Sequence, residues 1–79
     1  MSTFTIGRFI YKEKTETFGQ RLRRIRKAKK LTQTVLAEKI GIAPHAICDY
    51  EVGRIIPSLM TLEWICKALD VTATELLGF

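Results

Sequence analysis

The stretch Gln33-Thr-Val-Leu-Ala-Glu-Lys-Ile-Gly41-Ile-Ala-Pro-His-Ala-Ile-Cys-Asp-Tyr50 decides the fold. Thr32, just ahead of it, is a suitable N-cap because its hydroxyl can accept from an exposed first-turn amide. Val35, Leu36, Ala37 and Ile40 then recur at helical spacing. Gly41 closes the segment with the residue that most readily takes the positive φ of a C-terminal cap. Pro44, tolerated in a first helical turn, opens another helix predicted to run through Glu51, with Ile47 and Tyr50 inward and Gly53 as its stop. Ala37 is small enough for the two helices to pass closely. Leu36, Ile40, Ile42, Ile47 and Tyr50 supply the wedge of core that sets them near perpendicular. A helix held proud of a body in this way can enter a DNA major groove, roughly 12 Å wide, while the amides opening the preceding helix face a phosphate.

Working outward, Thr17 is an acceptable cap for a first helix in which Phe18, Leu22, Ile25 and Ala28 make the apolar stripe. On the other side of the central pair, Pro57-Ser58 begins a fourth helix lined by Leu59, Leu62, Ile65, Cys66 and Leu69. Thr72-Ala-Thr-Glu75 matches a capping box, in which hydroxyl and carboxylate satisfy each other's exposed amides, and Leu76-Leu77 follow before Gly78. The expectation is an all-α fold of five helices. Residues 3 to 11 mix β-branched and aromatic side chains with imperfect alternation, which suits a short strand or an extended arm better than a helix. The expected division is therefore an N-terminal extension over 1–17 and a helical domain over 18–79.

The 79 residues are one domain's worth of chain. The apolar runs are far short of the ~20 residues that a membrane span needs, so a soluble, cytoplasmic protein is expected. Cys48 and Cys66 stand 18 apart beside a single histidine, which fits neither a disulfide framework nor a four-ligand zinc site. Free thiols, no metal and no cofactor are expected. Thirteen basic against eight acidic residues give +5, and the excess is local: residues 1–30 hold ten basic and two acidic residues. Seven of those basic residues lie between Arg21 and Lys30. Such a run either faces a polyanion or is a solvated helix face, with Lys29 and Lys30 nearest the turn expected to meet phosphate.

The fragments Phe18-Gly-Gln-Arg-Leu-Arg-Arg-Ile-Arg26, Leu31-Thr-Gln-Thr-Val-Leu-Ala37, Gly41 through Gly53, Pro57-Ser58, Leu62 through Leu69 and Glu75-Leu-Leu77 occur in a diagnostic order. In that order and spacing the chain resembles the helix-turn-helix family of phage repressors and Cro proteins, also called the xenobiotic-response-element family. The resemblance covers Phe18 to Phe79. It implies a five-helix, sequence-specific DNA-binding regulator, commonly a homodimer on a pseudo-palindromic operator, with no enzymatic activity and no small-molecule ligand. By family position Pro44, His45, Cys48 and Asp49 face base edges. Thr32, Gln33, Arg54 and Lys30 contact phosphate, and Arg26 pairs with Glu51. The sequence departs from the family at Ala43, where a polar cap is usual, at Pro44, which has no group to read a base edge, and at Asp49, where Lys, Arg or Gln is frequent.

His45 suits either base reading or simple solvation. A His45–Cys48 dyad has no evident group to orient the histidine, so catalysis is not expected. Ile55, Ile56 and Trp64 fall outside the apolar stripes, and exposed groups of that size suggest a contact surface for a second subunit or for the N-terminal arm. A protein-interaction module on the same fold, antitoxin-like or adaptor, is the alternative reading, favoured by Asp49 and the apolar loop and opposed by the basic first helix.

Overall fold

In the computed structural model, residues 16–78 are described, and the strand or arm expected over residues 3 to 11 lies outside them. The chain's first helix starts where local chemistry lets it. Thr17 caps it by accepting from the Gln20 amide, and the Gln20 side chain accepts in return from the Thr17 amide at 2.9 Å, a capping box the sequence reading missed. Helix α1 runs Phe18–Ala28 and buries Leu22 and Ile25. Glu16 is joined to it by a two-bond pair with Arg24 and by Arg21, so the folded unit reaches at least to Glu16.

Helix α2 (Gln33–Ile40) begins at Thr32, whose hydroxyl accepts from the Val35 amide, and ends at Gly41 with φ 84°. Helix α3 follows after three residues, from Pro44 to Val52, one residue beyond the expected end. Its N-cap Ala43 makes no side-chain cap bond. Helices α4 (Leu59–Leu69) and α5 (Ala73–Leu77) are capped by Ser58 and by the expected Thr72, the latter with its reciprocal Glu75 bond. Among the described residues there is no strand.

Leu22, Leu36, Ile47, Ile65, Leu69 and Leu76 are fully buried, one or two from each helix, with Ala37 filling the close approach expected of it. Each such aliphatic side chain contributes about 1.5–3 kcal/mol relative to exposure, so this cluster is the main favourable contribution to the fold. Helix α3 packs on both α1 and α2, while α4 packs on α2 and α5 closes against α1 and α4. Three stripe members differ from expectation. Val35 is 39% and Leu59 85% exposed, and Ala28 is exposed too. Val35 and Leu59 occupy early turns and Ala28 the last position of α1, where helical spacing continues but no neighbouring helix reaches.

The junction of α1 and α3 is unusually close. Gly19 is buried, and a Cβ there would overlap the Glu51 carbonyl oxygen and stand 2.6 Å from that of Tyr50. Beside it lies a buried ion pair. Arg26 donates through Nε to Glu51 Oε2 at 2.6 Å and through Nη2 to Oε1 at 3.1 Å. Arg26 Nη1 also donates to the Leu31 carbonyl, and Gln33 Nε2 donates to Glu51 Oε1 at 3.0 Å. One network thus ties α1, the turn before α2, the start of α2 and the end of α3. With both charges buried, hydrogen-bond satisfaction is what makes the pair tolerable.

Candidate nucleic-acid interface

Because Ile47, Tyr50 and Glu51 are turned into the body, the rotation of α3 is set and its opposite side is presented outward. That side carries Pro44, His45 and Val52, all exposed, and the half-buried Cys48. His45, Cys48 and Val52 follow each other at three- and four-residue steps and so make one stripe. Val52 was not singled out from sequence, although the same spacing extended one turn would have found it.

Donors flank this stripe on both sides. At one side Thr32 and Gln33 open α2, whose first-turn amides have no acceptor within the helix and carry the positive end of its dipole. Lys29 and Lys30 are exposed in the preceding turn, Lys30 with φ 62°. Gln33 is half-buried and spends one amide hydrogen on Glu51, which leaves the other available. On the far side Gly53 reverses the chain at φ 82° and Arg54 emerges. The Arg54 amide donates to the Asp49 carbonyl at 2.9 Å and the Gly53 amide to that of Tyr50, the two bonds of a Schellman end.

Asp49 is where structure and sequence expectation part. It was expected to face the groove, yet it is 7% exposed. Its Oδ1 accepts from Arg54 Nη1 at 2.5 Å, and its Oδ2 lies 3.2 Å from His45 Nε2. The carboxylate is turned toward the edge of α3 and the returning loop, so both oxygens are already engaged within the chain. His45 and Arg54 keep exposed side chains, 77% and 64% respectively.

The basic run of α1 divides by role. Arg26 is buried in the network above. Arg21 donates to the Leu77 and Glu16 carbonyls, tying the end of α5 to α1, and Arg24 holds Glu16. The Arg24 hydrogen bond, more than its charge, holds the Glu16 carboxyl below the usual carboxylate range. Three of the seven are therefore structural; Arg23, Lys27, Lys29 and Lys30 remain exposed. Ile55, Ile56 and Trp64 are exposed, at 45%, 86% and 41%. Trp64 lines a hollow with Lys39, Ile40, Lys67 and Ala68, and Met60 and Leu59 add exposed apolar surface that sequence reasoning did not mark.

Cys48 and Cys66 are both free, and burial, with the charge of Glu63 adding to it, pushes the Cys66 thiol up. Among the described residues, no three of the His, Cys, Asp and Glu side chains are grouped to hold a metal ion, and no helix is long and apolar enough to cross a membrane.

The profile of the helix-turn-helix family matches residues 22–76, which runs from the core of α1 to α5. The immunity repressor protein of Bacillus phage phi105 is 44% identical over 62 residues, which is 78% of this chain and 43% of that protein. Multiprotein-bridging factor 1 of Candida albicans is 43% identical over 53 residues, 67% of this chain and 35% of that protein. The chain thus spans less than half the length of these two curated relatives. Among solved structures, the P22 c2 repressor in complex with a synthetic operator superposes with a TM-score of 0.75 at 32% identity, covering 80% of this chain and 96% of that one.

Proposed function

Since this chain belongs to the helix-turn-helix family, we propose that it is the DNA-binding unit of a transcriptional regulator, acting as a repressor and binding duplex DNA through α3. The observation that carries this reading is the outward stripe of α3, Pro44, His45, Cys48 and Val52, which no other helix covers and which donors flank on both sides. In this arrangement α3 lies in the major groove and His45 supplies the polar contact to a base edge. Pro44 and Val52 give apolar contact, of the kind a thymine methyl accepts. Thr32, Gln33, Lys30 and Arg54 hold the phosphates on either side and set the register. The likeness to the P22 c2 repressor, solved in complex with a synthetic operator, supports DNA binding by this chain.

The activity is binding and not catalysis, and it belongs in the cytoplasm of a bacterial cell, where the DNA is. A homodimer reading two half-sites, with Ile55, Ile56 and Trp64 in or beside the contact, is the assembly we propose.

Selection of bound fragments from random duplex DNA, followed by affinity against salt, tests the reading. Phosphate contacts release counterions, so log K should fall with log salt with a slope of about −0.9 per phosphate neutralised. Arg54→Ala should flatten that slope by about one contact and weaken all sequences alike. Absence of binding at low salt overturns the reading. That result would favour an adaptor role on the same fold, which the largely apolar character of the α3 stripe and the likeness to a multiprotein-bridging factor support.

A further inference from the structure

We propose that Asp49 is a positioning residue for DNA recognition: it does not read a base but clasps His45 and Arg54, fixing which atoms each presents to DNA. The proposal rests on the DNA-binding reading above. Asp49 follows Cys48 on α3 but lies at the edge of the outward stripe, 7% exposed, with one carboxylate oxygen on each partner. A carboxylate so placed has no free face toward a cytosine amino group, the base-edge donor it would otherwise accept from.

Arg54 is held twice by the same residue. Its backbone amide donates to the Asp49 carbonyl at 2.9 Å and its Nη1 to the Asp49 carboxylate at 2.5 Å. The guanidinium has five N–H donors in a rigid plane, so fixing Nη1 aims the remaining edge, Nε and Nη2, in one direction. That edge is the one left for a phosphate. The five-residue step from Asp49 to Arg54 is what the reversal at Gly53 makes possible.

His45 is held from the opposite side, one helical turn earlier. With Nε2 lying 3.2 Å from Asp49 Oδ2, the Nδ1 edge of the ring is the one turned away from Asp49 and left to the groove. That edge meets the base, and its angle to the base edge is fixed by the contact with Asp49. The orientation of the ring at the His45 position is in this way set by a residue that does not touch DNA. A negative charge beside a polyanion would ordinarily be expected only to weaken binding. The clasp makes the contrary prediction that its removal costs discrimination.

The test uses the full 79-residue chain, with fragment selection and affinity measured for the wild type, Asp49→Asn, Asp49→Ala, His45→Ala and the Asp49→Ala/His45→Ala pair. Asp49→Ala and His45→Ala should relax preference at the same base pair, each by roughly tenfold in discrimination. The double variant should be no more relaxed there than His45→Ala alone, because both act through one contact. Asp49→Asn keeps the size and one acceptor of the carboxylate, and should fall between wild type and Asp49→Ala; it carries the comparison should Asp49→Ala not fold.

The idea is overturned if Asp49→Ala changes a base pair that His45→Ala leaves alone, which is direct reading, or if it strengthens binding to all sequences without altering preference, which is charge alone. A readout without DNA separates the clasp from the function. In 15N relaxation of the free protein, the Arg54 Nε and the ring of the sole histidine should be ordered in the wild type and mobile in Asp49→Ala. Equal mobility in both defeats the clasp whatever the DNA result. Ordered side chains in a protein that binds no DNA defeat the DNA reading and leave the clasp standing.

Discussion

Replacing Gly19 by alanine sets two effects of opposite sign against each other. Gly19 lies inside α1, where alanine is the better helix former by about 1 kcal/mol. Against this, the new Cβ would overlap the Glu51 carbonyl oxygen and stand 2.6 Å from the Tyr50 oxygen, where ordinary contact begins at 3.4 Å. The obstructing atoms are backbone of the last turn of α3 and have no rotamer to retreat into. The helices must separate by something near the shortfall, and overpacking of this kind costs about 1–3 kcal/mol. Separation also stretches the Arg26–Glu51 bonds, and hydrogen bonds to charged groups are worth about 1.5–3 kcal/mol each. The repulsive terms win, and Gly19→Ala is expected to lose about 2 kcal/mol net. For a domain of this size that lowers Tm by about 8–16 °C. Thermal and urea unfolding followed by circular dichroism measure it directly. A variant as stable as the wild type, or more so, would show that helix propensity dominates and that α1 and α3 are not in the contact described.

Three further outcomes follow from the same geometry. Arg26→Met strands the Glu51 carboxylate and should cost about 3–5 kcal/mol, whereas the pair Arg26→Met/Glu51→Leu should recover most of it; a single-variant loss below about 1 kcal/mol in urea would mean the pair is solvated. Ala43→Ser gives α3 the cap bond it lacks and should add about 1 kcal/mol, and a calorimetric Tm that does not rise would contradict the capping assignment. A thiol reagent should modify the half-buried Cys48 first, with Cys66 slow in the native state even as pH is raised to the ordinary thiol value of 9.0, because burial holds its thiol protonated beyond that point; equal rates would refute the burial of Cys66.

The five helices were legible because their information is local. Hydroxyl caps at Thr17, Thr32, Ser58 and Thr72 and the glycines at 41, 53 and 78 mark ends through bonds made within a turn, and apolar spacing marks the inward faces between them. Family resemblance added the Arg26–Glu51 position, which no local pattern implies. Composition announced the basic run but not its division, since Arg21, Arg24 and Lys30 look alike until α5 and Glu16 are brought against the first two.

Tertiary structure alone decided what faces outward on α3. The exposure of a residue depends on how far a helix is rotated against its neighbours, and here the close approach at Gly19 and the buried Glu51 set that rotation. It turns Asp49 to the edge while Cys48 stays on the outward stripe, a difference of one position that periodicity does not resolve. The pairing of Asp49 with Arg54 further requires the chain to reverse at Gly53 and return alongside the helix it has just left. The glycine is visible in the sequence, but the direction of the return, and so the partner it meets, exists only once the helices have packed.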